Sequence, residues 1–207
     1  AVGDNAQADA GSKDDPKEAA VYEYVLHGNN GLRQEDRLDV VRARSVRHIA
    51  DWPFVDRLRR HQLFVFPRGW HFNRGGEAVF VNEDLLIWPI DSVEDFNEVL
   101  QKEGIRLRNP DDARAAAELF LKCYRPSYVL DYGWDLGVNV VRSWEDIQFK
   151  DEAEKQSVSA RFSISPPSLI TRADGSYTFV LFSWEKIGSG LFARHEVVLD
   201  GAGIRSY

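Results

Sequence analysis

The sequence predicts an α+β fold, with helices packed on a curved antiparallel sheet that ends in a C-terminal β-meander. Three observations carry the prediction. Near the end of the chain, Ser176–Trp184 and Leu191–Leu199 are rich in aromatic and β-branched residues and flank the Gly-rich turn Ile187–Gly190, a hairpin signature. Two amphipathic segments with helix-start and helix-stop signals lie in the middle third. Helical runs and strand runs follow one another rather than alternating strictly, which separates α+β from α/β.

Strand side chains alternate with a period of two. Tyr177, Phe179 and Leu181 therefore share one face of the first strand, and Leu191, Ala193, His195, Val197 and Leu199 share one face of the second. If the two sets lie on the same side, the hairpin has one apolar face, and burial of that face fixes the register. Those residues should lie against the helices at 92–102 and 110–124. The opposite face is mixed, and Val180, Phe182, Trp184 and Phe192 on it call for a cover at its loop end.

The remaining elements follow in chain order. Residues 1–20 hold no aromatic residue, with Val2 the sole branched apolar one, and are expected to be disordered; residues 21–207 then form a single α+β domain. Val21–Leu26 reads as a first strand or short helix. Gln34–Ile49 reads as a helix with Leu38, Val41, Ser45 and Ile49 on one line. Asp51-Trp52-Pro53 reads as the start of a short helix through Arg60, with Phe54, Val55 and Leu58 inward. Gln62–Phe66 is a strand, and Ala78–Val81 with Leu85–Trp88 forms a second hairpin.

Asp91 or Ser92 caps a helix through Lys102, with Val93, Phe96, Val99 and Leu100 on its apolar side and Gly104 past its end. Asn109 caps the next, with Pro110 at its first position and Ala113, Ala116, Ala117, Phe120 and Leu121 inward. Lys150–Lys155 is a charged loop or one helical turn. Val158–Ile164 alternates as a strand, Pro166-Pro167 interrupts it, and Leu169–Arg172 resumes. The order of a helix pair and then an antiparallel meander is similar in outline to cystatin-like and NTF2-like architectures. No residue motif carries that likeness, so it implies no function and no site.

Composition narrows the function classes. At 207 residues, 43% hydrophobic and 12% aromatic, the chain can bury a sizeable core. No apolar run approaches the roughly 20 residues that span a bilayer. A net charge of -7 argues against general affinity for nucleic acid or anionic membranes. The single cysteine, Cys123, supports neither an internal disulfide nor a CxxC site, and its apolar helical context reads as a buried thiol. The chain has no Met and starts at Ala1, and its polar first twenty residues resemble the segment after a cleaved signal peptide. Such a segment is also common as a cytosolic tail, so the compartment stays open, with a lean towards an exported protein, periplasmic or secreted.

The G-x-S-x-G, H-E-x-x-H, G-x-G-x-x-G and P-loop patterns do not occur. The five histidines, His27, His48, His61, His71 and His195, have no metal-ligand spacing, so neither metal nor cofactor is implied. Catalytic groups need be near one another only in space, so this does not exclude an enzyme. His195 is the candidate: alone on an apolar face, it serves either as a general acid/base or as a core histidine bonded to a backbone carbonyl.

Two other signals suggest binding. Residues 68–76 interleave Arg68, Trp70, His71, Phe72 and Arg74 with glycines, a pattern able to stack on and pair with a ligand, or to fold back over the core. Tyr132 and Trp134 form a second aromatic tip. Between Arg33 and Arg74 there are ten arginines, no lysine and five acidic residues, which reads as an anion-binding surface or as helix faces paired with acids elsewhere. The expectation is a non-enzymatic binding or interaction domain with a protein or small-molecule partner. The alternative is a metal-free acid/base enzyme with a pocket at His195 between sheet and helices.

Overall fold

Two antiparallel sheets, rather than one, organise the α+β fold. The computed structural model describes residues 15–28, 31–67, 76–124, 140–147, 149–185 and 191–207. Helix α1 spans Pro16–His27 and α2 spans Gln34–Arg42. Strands β1 (Arg47–Ile49), β2 (His61–Pro67), β3 (Gly76–Asn82) and β4 (Ile87–Pro89) form the first sheet in that order. Helices α3 (Val93–Lys102) and α4 (Pro110–Cys123) follow. Next come β5 (Val140–Val141), α5 (Glu152–Ser159), β6 (Ser168–Thr171), β7 (Tyr177–Glu185), β8 (Leu191–Asp200) and β9 (Gly203–Ser206). In the second sheet β8 lies between β7 and β9, and β5 and β6 pair with β7.

Alternation sorts the strand residues of the first sheet between two cores. Leu63 and Val65 of β2 and Ala78 and Phe80 of β3 face a core shared with α3, α4 and the second sheet. Phe64, Phe66, Val79 and Val81 face the other way, against Val21 and Val25 of α1 and Val40 of α2. Both faces are thus dry, which is why these strands read as continuous apolar runs.

The late hairpin has the register its alternation requires: Tyr177 lies opposite Leu199, Phe179 opposite Val197, and Leu181 opposite His195. Phe179, Leu181, Val197 and Leu199 share the core with Phe96, Val99 and Leu100 of α3 and Ala116, Ala117, Phe120 and Leu121 of α4. On the reverse face Val180, Phe182 and Trp184 are covered by the chain from Val141 to Ile164, including Trp144, Phe149 and Val158. Rings of Trp144 and Phe182 both stack on Phe192. Asn97 of α3 docks β9 as a neighbouring strand would: its amide donates to the Ile204 carbonyl at 2.7 Å and accepts the Ile204 N–H at 2.8 Å. Gly203, at φ 147°, permits this approach, since a Cβ there would overlap the Asn97 amide.

Several local expectations change. The chain is helical from Pro16, capped by Asp15, so residues 16–20 are ordered; Val21 and Val25 anchor that helix in a core. The helix expected through Ile49 stops at Arg42. Arg44 turns left-handed at φ 49°, and the Arg44 and Ser45 N–H groups bond back to the Val41 and Val40 carbonyls. Val40 is the buried residue of that helix, while Leu38 points outward. Only a 3₁₀ turn, Val55–Arg57, forms where a short helix through Arg60 was expected, with Phe54 at φ 77° before it. The charged segment from Lys150 grows into α5, capped by Asp151. Val158–Ile164 is not a strand: α5 runs to Ser159, and Val158, Phe162 and Ile164 alternate because an irregular chain lies across an aromatic surface.

Candidate functional site

His195 sits in the middle of β8 on the face buried against the helices, 5% exposed. Its register partner is Leu181, which puts Ser183 diagonally across on the same face. Ser183 Oγ lies 2.7 Å from His195 Nε2. The Tyr207 hydroxyl lies 2.7 Å from Nδ1, and the Tyr207 ring stacks on the imidazole at 5.9 Å and 6°. Tyr207 is fixed in turn by edge contacts with Phe120 and Tyr124 of the α4 end.

Burial pushes the imidazole down to about 4, so it is neutral at physiological pH. A neutral imidazole has one donor and one acceptor nitrogen, and each hydroxyl can serve as either, so the two partners satisfy both tautomers. A serine hydroxyl on a histidine nitrogen is the geometry of an activated nucleophile. Here, however, Ser183 is 1% exposed and a substrate carbonyl has no approach to it in this arrangement. Tyr207 is 46% exposed, whereas Ser183 and His195 are buried.

A second buried histidine was not singled out in the sequence. His61 begins β2, and its Nδ1 lies 2.6 Å from Glu103 Oε1 at the end of α3; their side chains are 2% and 1% exposed. The same carboxylate accepts the backbone N–H groups of Arg59, Arg60 and His61 at 2.8, 2.9 and 2.8 Å. Burial alone would raise this carboxyl; the Arg59 N–H, the His61 ring and the Arg60 N–H outweigh it and hold the group below the ordinary carboxylate range. The pair fastens the entry of the first sheet to α3. Nothing in residues 59–61 marks Glu103 as their partner, because more than forty positions separate them.

At least half of the ten arginines in the arginine-rich third are engaged within the fold. Arg33 pairs with Glu35 and Asp36, Arg42 with Asp39, and Arg57 with Asp112. Arg37 donates to the Leu32 carbonyl and Arg60 to that of Lys102. Of these ion pairs only Arg57–Asp112 reaches an acid outside the segment. Cys123 is buried, and burial raises its thiol far above the usual range. Among the described residues no group of three or more His, Cys, Asp or Glu side chains could hold a metal ion. No helix among them is long and apolar enough to cross a membrane.

The candidate binding residues Arg68, Trp70, His71, Phe72 and Arg74 lie outside the described residues, as do Tyr132 and Trp134. What is fixed is the base of the first group, because Pro67 and Gly76, which residues 68–75 connect, are paired at one end of β2 and β3. Ser183 was legible in principle from the hairpin register; Tyr207 was not, because a register shift at Val198/Leu199 precedes its approach to His195.

Comparison with protein-family models, with curated proteins and with solved structures gives no match for this chain. The class the fold defines is therefore structural: an α+β chain of two antiparallel sheets with a closed histidine in the shared core.

Proposed function

We propose that the protein is a non-enzymatic binding or interaction domain whose recognition residues are Arg68, Trp70, His71, Phe72 and Arg74. The carrying observation is the closure of His195. Its two ring nitrogens are occupied by Ser183 and Tyr207, burial keeps it neutral, and the residue that would do acid/base work is used by the fold. The interleaved aromatic and arginine side chains supply ring faces for stacking and guanidinium forks for a carboxylate or phosphate. A partner bearing both an acidic group and a flat apolar group fits that chemistry, as in an acidic peptide with aromatic residues.

The His195–Tyr207 contact favours one alternative, a metal-free enzyme in which the pair moves a proton to a bound small molecule. One comparison separates the two. The full chain and its Trp70→Ala/Arg74→Ala and His195→Gln variants are tested for binding to an acidic-aromatic peptide library and for turnover of nitrophenyl esters. The binding reading expects peptide capture that drops at least tenfold in the first variant and is retained in the second. Ester turnover that His195→Gln abolishes and the double variant leaves intact would overturn it.

A further inference from the structure

The β3–β4 turn holds two adjacent leucines in solvent, the first on a backbone that disfavours it. Leu85 N–H bonds to the Asn82 carbonyl at 3.2 Å, and the Asn82 N–H returns to the Leu86 carbonyl at 3.2 Å. The Asn82 side chain accepts the Asp84 and Leu86 N–H groups at 3.0 and 2.9 Å. This closes a tight turn with Leu85 at φ 62°, a left-handed position suited to glycine and strained for a γ-branched residue. Leu85 is 42% and Leu86 55% exposed. Leucine at this position contributes neither turn geometry nor core packing, and strain of this kind concentrates where a side chain is needed for something else.

Glu83 and Asp84 flank the leucines and are exposed. The pairing of His61 with Asn82 brings Arg59 and Arg60, also exposed, to the same end of the first sheet. Their backbone is fixed there by Glu103. None of these four charged side chains has an ion-pair partner among the described residues, and Arg60 donates one guanidinium N–H to the Lys102 carbonyl at 3.3 Å. One patch thus carries an apolar tip with unpaired charges of both signs beside it. A surface that is acidic, basic and apolar at once is complementary to itself, which is the requirement for a two-fold contact.

We infer that this end of the sheet is a self-association surface. The Leu85–Leu86 turn of one copy seats against that of a second copy, and Glu83 and Asp84 of each pair with Arg59 and Arg60 of the other. It lies at the opposite end of β2 and β3 from Pro67 and Gly76 and does not rest on the binding function proposed for residues 68–75. A turn is a small contact, so the dimer is weak and reversible, and salt weakens it further.

Sedimentation of the full chain from roughly 10 µM to 1 mM tests this, the range in which weak association shows. The expected result is a monomer–dimer equilibrium, weakened at least tenfold by Leu86→Asp and by Glu83→Lys/Asp84→Lys. Mixing the latter with Arg59→Glu/Arg60→Glu restores a mixed dimer that neither forms alone. Leu85→Gly raises the melting temperature by a few degrees through release of strain while weakening the dimer. A chain that stays monomeric at the highest concentration, a dimer indifferent to Leu86→Asp, or a lower melting temperature for Leu85→Gly would overturn the proposal.

Discussion

His195 and His61 are buried to the same degree but in unlike company, and the difference decides what each can do. His195 has two hydroxyl partners and no carboxylate. Nothing there repays the desolvation of a charged ring, so the ring is held neutral. His61 has a carboxylate that also gathers three successive backbone N–H groups. There the Glu103 carboxylate accepts three backbone N–H groups and contacts the imidazole. One histidine is a neutral bridge between strands and chain end; the other is part of a charged clamp between sheet and helix. Neither histidine presents its ring at the surface, and the proposal of binding rather than proton transfer starts from that.

The clamp gathers more hydrogen bonds than the His195 bridge, and its removal is expected to cost more. Glu103→Ala leaves His61 Nδ1 and the N–H groups of residues 59–61 without their acceptor, and should cost about 1–3 kcal/mol, read from the denaturant midpoint. A loss under about 1 kcal/mol would mean that water replaces the carboxylate and that the contrast with His195 is one of geometry alone.

Acid separates the pair further. Folded His195 stays neutral to about pH 4, whereas the unfolded imidazole protonates near 6.5, so between these values the unfolded chain binds the extra proton. Stability from this group is complete above the unfolded value and falls as pH falls, by about 2 kcal/mol between pH 6.5 and 5. Glu103 acts in a lower window. Its depressed carboxyl contributes fully above the ordinary 4.5 and loses its contribution as pH drops through the folded value. Urea unfolding at pH 6.5 and 5 should therefore show a slope in the parent chain that His195→Gln removes and Glu103→Ala keeps.

What was readable from the sequence follows the same division. The hairpin at 177–199 was legible because a single register buries Phe179, Leu181, Val197 and Leu199 together, and a slip of one would expose them all. The helices α3 and α4 were legible because Ser92 and Asn109 cap them and their apolar stripes are regular. The isolation of His195 came from that pattern too. Its partners did not, since Tyr207 reaches it past an irregular register. The Glu103 clamp left no trace, because a carboxylate that binds backbone N–H groups needs no particular residue opposite it. Val158–Ile164 misled for a related reason: spacing of apolar residues reports a surface below the chain, and an aromatic surface can produce strand spacing without a strand.

Whether His195 is a closed, neutral core histidine is read directly by an NMR titration of the histidine ring signals. With His195 assigned through the His195→Gln variant, its ring signals should stay unchanged from pH 8 down to pH 5 and begin to move only towards about 4. A titration centred near 6.5 would show a ring open to water and able to exchange protons at physiological pH, and would return the chain to the acid/base reading.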